Sequence, residues 1–424
     1  MLDINFIRDN AEAVKEGAKN KGFDVDVDRL LELDEKRREL IQENEAVRQR
    51  RNEVASAIPR ASNEERPELI EEGKELKEKL QTLDDDLNAV KEDYEKLLLM
   101  VPNVPLPEVP VGETDEDNVE LRSYGEPTEF DFEPRDHEEL GELLDIIDKE
   151  RAIKFAGSRA YLLKGAGALL EMAVMRLAMD IMVEQGFEPV LGPVMVNEGA
   201  MTGTGFFPYG REDTYHLERD DKWLVGTSEV YLVSIHQDEI LDLEDLPKLY
   251  TGYSPCFRRE AGSAGADTRG VYRVHQFTKV EQVAIIPADK EKSREVHDML
   301  MSNSEKLMQA LDLPYRVAAA CSGEIGLGQV LKHELETWMP SRNAYSETHS
   351  CSSLYDYQAR RSGIRYRDED GNIQYAYTLN NTLAASPRIL IPILENYQRE
   401  DGSVKVPEVL VPYMHGITRI EPKR

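Results

Sequence analysis

The sequence predicts an α+β protein in which helices cover an antiparallel sheet and an antiparallel two-helix coiled-coil arm precedes it. Three observations predict this. Apolar residues recur every seven positions through residues 29–100. The proline-rich run VPNVPLPEVPVG (101–112) ends that pattern. Beyond it, short strand-like runs alternate with a few long amphipathic helices. The expected domains are 1–104, carrying the arm at 29–100, and 105–424.

In the second limb of the arm, Leu69, Leu76, Leu83, Val90 and Leu97 form one heptad column, and Leu80, Leu87 and Tyr94 fill the complementary one. The first limb repeats Leu33, Leu40, Val47 and Val54, with polar Arg37, Asn44 and Arg51 between. PRASNEERP (59–67) separates the limbs by a short polar loop, which implies an antiparallel hairpin. Such a hairpin has little core of its own. It serves either as a dimerisation coiled coil or as an arm that reaches a partner. Arg48, Arg50 and Arg51 on one limb, and Lys74, Lys77 and Lys79 on the other, are candidate phosphate contacts. They are equally candidate partners for neighbouring glutamates.

The four prolines of 101–112 exclude a helix, and the acidic stretch to Asn118 reads as a surface loop. HEELGELLDIID (137–148) and ALLEMAVMRLAMDIMVEQGF (168–187) read as helices. PVMV, KWLVGTSEV, KLYTGYSPCFRRE, YRVHQFTKVEQVAII, YRVAAA and YAYTLN read as strands, and a helix is expected from about Ser386. Hairpin-like strands favour an antiparallel sheet over a doubly wound parallel one. Neither a GxxxxGK[ST] loop nor a βαβ-placed GxGxxG occurs, so any nucleotide is held by another scheme.

Composition bounds the setting. The three cysteines, Cys256, Cys321 and Cys351, form no CxxC pair, which argues against a disulfide framework or zinc ribbon and suits a reducing cytoplasm. MLDINFIRDN does not read as a signal peptide, and no apolar run approaches the roughly 20 residues that span a bilayer, so no membrane partner is expected. With 52 Lys+Arg against 82 Asp+Glu the net charge is −30. That bears on solubility and steering, and it does not exclude a nucleic acid held by a local basic stripe.

The richest segment is CFRREAGSAGADTRGVYRVHQFTKVEQV (256–283). Paired arginines suit a phosphate, a carboxylate suits an exocyclic amine, and an aromatic suits a base. Activating a carboxylic acid on ATP requires in-line attack at the α-phosphate, favoured by positioning and by neutralising the charge that develops. Arg258 and Arg388 are the candidate phosphate-binding cations. His275 reads as a structural hydrogen-bonding residue, because a carboxylate nucleophile needs no protein base.

This segment resembles the second signature motif of seryl-tRNA synthetases. MRLAMDIMVEQGFEPVLGPVMV (175–196) resembles the first class II motif, and LNNTLAASPRILIPILENYQ (379–398) the third. GTSEV (226–230) and ETHSCSSLYDYQARR (347–361) resemble the seryl branch specifically, and the arm and the C-terminal GSVKVPEVLVPYM agree with it.

The resemblance implies ATP-dependent attachment of L-serine to tRNA(Ser), and also to tRNA(Sec), with ATP and Mg²⁺ as cofactors and a homodimer formed through the first motif. It implies that Arg258 and Arg259 meet the phosphates, Glu260 the adenine amine, and Val274 the nucleotide through its backbone. Phe277 and Arg388 would sandwich the adenine, with Glu347, Thr348, His349 and Ser350 completing the ATP site. Glu347 and Ser350 would hold Mg²⁺. Serine would fall to Thr227, Ser228, Glu229, Arg258, Glu281 and Thr382, with Arg258, Glu260 and Arg388 as the catalytic set. The glycine-rich loop (261–270) would order over the acceptor end of the tRNA. Serine offers one ammonium and one hydroxyl, for which two carboxylates and a small polar wall are the matching chemistry.

Two departures stand out. His349-Ser350 replaces a common pair of serines, and LNNTLAASPR replaces LNGSGLAVGR. Neither removes a named catalytic group. The rival reading is a duplicated paralogue with a resistance, biosynthetic or non-catalytic RNA-binding role.

Overall fold

The computed structural model describes residues 1–261 and 270–423. The chain divides into two compact units. One comprises residues 2–19 and 23–102; the other comprises residues 1, 20–22 and 103–424.

The smaller unit is built on the helices Val27–Ala57 and Arg66–Met100. Asp26 caps the first by accepting from Arg29 N, and Pro67 opens the second, where its missing N–H costs nothing. Side-chain pairs Asn44–Asp84, Arg50–Glu72 and Arg37–Tyr94 run in opposite senses along the two helices, so the hairpin is antiparallel. At 1.5 Å per residue the limbs are roughly 47 and 53 Å long.

The seam differs from the sequence pattern in one respect. Leu80, Leu87 and Tyr94 are buried, whereas Leu69, Leu76, Val90 and Leu97 are only half-buried; Leu83 and Leu98 join the buried set. Two helices alone bury one narrow stripe, and the adjoining column stays at the water margin. Asn44 is buried within this stripe and donates to Asp84 at 2.7 Å, a polar contact of the kind that fixes register.

The larger unit contains an eight-stranded sheet in the spatial order Val119–Tyr124, Tyr315–Ala319, Leu331–Met339, Ala344–Tyr355, Tyr377–Ser386, Gln276–Ile286, Lys248–Phe257, Glu188–Val190. Every neighbouring pair is antiparallel except the last, Glu188–Val190 on Lys248–Phe257. Strand Gln276–Ile286 shows how the period of two sorts the faces. Val280, Ala284 and Ile286 pack into the core with helices Ala166–Glu184 and Lys290–Ala310. Val283 and Ile285 face the opposite way, against Tyr231, Leu232 and Val233. Lys279 and Glu281 continue that second face toward the site.

Several sequence expectations are corrected locally. The helix expected over 137–148 stops at Leu143, because Asp145 turns to φ 52° and Asp148 caps the next helix, Lys149–Ala156. KWLVGTSEV is a strand only over Lys222–Leu224, and its glutamate begins the helix Glu229–Ser234. The last core helix runs Leu390–Asn396 rather than starting near Ser386, since that residue still pairs in the sheet with Thr278. No helix among the described residues is long and apolar enough to cross a membrane.

Candidate active site

A cavity of about 260 Å³ opens on the sheet face that carries Lys279 and Glu281. Of the residues singled out from the sequence, Arg258, Glu260, Val274, Phe277, Glu347, Thr348, His349, Ser350, Thr382 and Arg388 line it. Arg258, Glu260 and Arg273 also line an adjoining cavity of about 360 Å³, with Asp213, Thr214 and Gly226.

Two β-bulges shape the wall. In a regular strand, residues three apart point to opposite faces. Glu347 and Ser350 nevertheless share the cavity, because an extra residue, Thr348, sits between the pairs Leu335–His349 and Glu336–Glu347. On the next strand, Leu383 is the extra residue between the pairs Glu281–Thr382 and Val280–Ala384, which brings Thr382 and Ala385 to the same wall.

The charged groups are held individually. The Arg258 guanidinium lies 5.2 Å from the centre of the Phe277 ring and has no ion-pair partner among the described residues. Its backbone is pinned to His275: Arg258 N donates to the His275 carbonyl at 2.9 Å, and His275 Nδ1 donates to the Arg258 carbonyl at 3.1 Å. Glu260, at φ 56°, faces Arg273 at 3.1 Å. Arg388 lies in the turn before the last helix; its guanidinium stacks 4.2 Å from the Tyr272 ring centre and contacts Glu347 Oε2 at 3.4 Å. Burial works against the Glu347 charge, but Lys332, Arg388 and Arg258 outweigh it and hold this carboxyl below its ordinary range.

His349 is buried, and its Nδ1 lies 2.8 Å from Thr348 Oγ1. Burial pushes its imidazole down to about 4, so the departure adds no positive charge to the wall near neutral pH. Arg259 does not line the 260 Å³ cavity; it reaches over Tyr215, with its guanidinium 5.9 Å from the ring centre.

Thr227, Ser228, Glu229 and Glu281 do not line the cavity either. They form a buried cluster beside Thr382. Thr382 Oγ1 lies 3.4 Å from Glu281 Oε2, and Lys279 pairs with the same carboxylate. Glu281 is in register with Gly252, against which Ser228 is packed. A Cβ at position 252 would come within 2.7 Å of the Ser228 side chain, so this approach requires glycine. Glu229 accepts from Gln358 Nε2 at 2.6 Å and from Asn380 Nδ2 at 2.8 Å. Burial, then the charge of Glu281, pushes its carboxyl up to about 7.

Sequence reasoning missed Lys279, Gln358, Asn380 and Tyr272. Lys279 had a signal, since it alternates with Phe277 and Glu281 along one strand. On the arm, Arg48, Arg50, Lys74 and Lys79 pair with Asp84, Glu72, Glu71 and Glu43 at 2.7–3.0 Å. Arg51 and Lys77 have no such pair among the described residues. The loop expected to order over the acceptor end lies, at 262–269, outside the described residues.

Residues 1–105 match the seryl-tRNA synthetase N-terminal domain, and residues 214–397 match the tRNA synthetase class II core domain (G, H, P, S and T). The serine–tRNA ligase of Deinococcus radiodurans is 49% identical over 416 residues, covering 98% of each chain. The seryl-tRNA synthetase of Pyrococcus horikoshii, solved as a complex with ATP, superposes with a TM-score of 0.93 at 38% identity and covers 100% of both chains. The cytoplasmic serine–tRNA ligase of Naegleria fowleri, solved with AMP, gives a TM-score of 0.88 at 31% identity over 100% of this chain and 99% of that one. With this agreement over the full length of the chain, the protein belongs to the seryl-tRNA synthetase family.

Proposed function

We propose that the chain activates L-serine with ATP and transfers it to the terminal adenosine of tRNA(Ser), with tRNA(Sec) as a further substrate. The observation that carries this reading is one cavity where Arg258 and Arg388, the Phe277 ring and the carboxylate–hydroxyl pair of Glu347 and Ser350 meet. Beside it lies a buried cluster of two carboxylates and a threonine. The serine carboxylate attacks the α-phosphate, forming seryl-adenylate and releasing pyrophosphate. Arg258 neutralises charge as it develops on that phosphate, and Arg388 steadies the outer phosphates. Phe277 offers its face to the adenine, Glu260 an acceptor for the adenine amine, and Val274 a backbone contact.

Mg²⁺ suits the donor set. Glu347 and Ser350 are hard oxygen donors on one wall, too few to cage an ion by themselves. An ion that keeps waters and takes phosphate oxygens needs no more. When bound, it would supply charge neutralisation on the phosphates.

We further propose that residues 1–104 engage the tRNA and residues 105–424 catalyse. Duplex RNA is read by shape and backbone rather than base edges, which fits an arm whose Arg51 and Lys77 lack carboxylate partners among the described residues. Val183, Leu191 and Met195, all more than half exposed, supply the apolar face for a homodimer through the first motif. The expected compartment is the cytoplasm.

The amino-acid assignment has a direct test. Glu281→Ala is expected to raise the serine KM about 10²-fold in pyrophosphate exchange while changing the ATP KM less than threefold, as befits a charged acceptor of the substrate hydroxyl. Equal losses for both substrates would move Glu281 out of the amino-acid pocket.

A further inference from the structure

Gln358 lies where three elements of the larger unit meet. It is 1% exposed, on the helix Tyr357–Ser362. Thr378 Oγ1, from the strand Tyr377–Ser386, donates to its Oε1 at 2.6 Å. Its Nε2 donates to the Thr204 carbonyl at 3.0 Å and to Glu229 Oε1 at 2.6 Å. The amide orientation follows from this set: a flipped amide would set its oxygen against the Thr204 carbonyl and the Glu229 carboxylate. Both N–H groups are thus committed. Asn380 Nδ2 donates to the same Glu229 Oε1 at 2.8 Å. Oε1 carries two strong donors, whereas Oε2 receives no hydrogen bond among the described residues.

Presupposing the serine site proposed above, we propose that Gln358 is a positioning residue. By saturating Oε1 of Glu229 together with Asn380, it makes Oε2 the oxygen that meets the substrate ammonium. It also makes Oε2 the atom from which a proton departs to water when serine binds. No bond other than that O–H breaks, and the ammonium keeps its three protons.

The electrostatics support the same assignment. The charged groups facing Glu229 are Glu281 and Lys279 from the strand Gln276–Ile286, and Arg258 just beyond the strand Lys248–Phe257. Tyr357–Ser362 and Tyr377–Ser386 present the neutral amides of Gln358 and Asn380. Burial and Glu281 raise the carboxyl to about 7, and the Gln358 bond opposes that rise. Above pH 7 Glu229 is ionised and ready for the ammonium, whereas below pH 7 a proton must first leave. The serine KM should therefore climb toward tenfold per unit as pH falls below about 7.

The test is serine-dependent pyrophosphate exchange by the full chain at saturating ATP from pH 5.5 to 9, for the parent and Gln358→Met. The variant keeps the volume and removes the amide. Its inflection should move upward; a one-unit shift raises the serine KM about fivefold at pH 7, with the ATP KM unchanged. Glu229→Gln should abolish the inflection. If Gln358→Met does not fold, Gln358→Asn, which withdraws the donor by one methylene, is read the same way. An unmoved inflection, with both KM values changed together, would show a merely structural role and overturn the proposal. A parent with no serine-dependent exchange would overturn the functional reading itself, and this proposal with it.

Discussion

Arg258→Ala is expected to lower serine-dependent pyrophosphate exchange about 10³-fold, with the fold retained. Removing one preorganised donor from a developing oxyanion costs 10²–10³ in rate, and a guanidinium contributes net charge as well as hydrogen bonds. The structure gives reasons to expect a local effect. The side chain is exposed, lies over Phe277 and has no ion-pair partner among the described residues, so its removal leaves no buried charge behind. The backbone contacts with the His275 carbonyl and Nδ1 do not depend on the Arg258 side chain. Circular dichroism and Tm should match the parent. Exchange within tenfold of the parent would contradict the phosphate assignment. Arg258→Lys should recover only part of the loss, since an ammonium restores the charge without the planar fork.

The second large effect concerns the arm. Replacing residues 45–83 with a short turn is expected to leave pyrophosphate exchange within about threefold of the parent, while lowering kcat/KM for tRNA at least 10²-fold, the loss that follows when several phosphate contacts disappear together. The replacement keeps the base of the hairpin, where Asp34 is buried against Arg8, Arg37 and Arg38 and where Arg37 covers Tyr94. Charging at the parental rate would return the arm to the coiled-coil reading. Salt offers an independent check, because phosphate contacts make the tRNA KM rise steeply with ionic strength while the serine KM stays flat.

How far these features could be read from residues alone varies with their physical origin. The arm was legible because a heptad is a repeating signal summed over some 70 residues, and the antiparallel sheet because its strands come in hairpin-like succession. The motif around Arg258 was legible because several chemical groups crowd into one short segment. The pairings that shape the cavity were not legible. A bulge adds one residue to a strand without changing its composition, so nothing in ETHSCSS marks Thr348 as the extra residue that turns Glu347 and Ser350 to one side. Gln358 and Asn380 were missed for another reason. An amide inside an apolar segment looks like any buried polar residue until the element it contacts is known, and Glu229 is 129 residues from Gln358 in the chain. KWLVGTSEV misled because β-branched and apolar residues suit a strand, whereas Glu229–Ser234 is held as a helix by burial of Val230, Tyr231, Leu232 and Val233. Arg388 lines the cavity, but its stacking on Tyr272 depends on the turn ahead of the last helix and has no sequence signal.

The most direct measurement is ATP–pyrophosphate exchange with the purified full chain, offered serine, threonine, alanine and cysteine in turn without tRNA. The account predicts exchange with serine alone: alanine lacks the hydroxyl that Glu281 and Thr382 are proposed to receive, and threonine adds a methyl group to a closed, buried cluster. Exchange with none of the four would contradict the account and favour a binding paralogue. Comparable exchange with threonine or alanine would contradict the serine assignment of Glu229, Glu281 and Thr382.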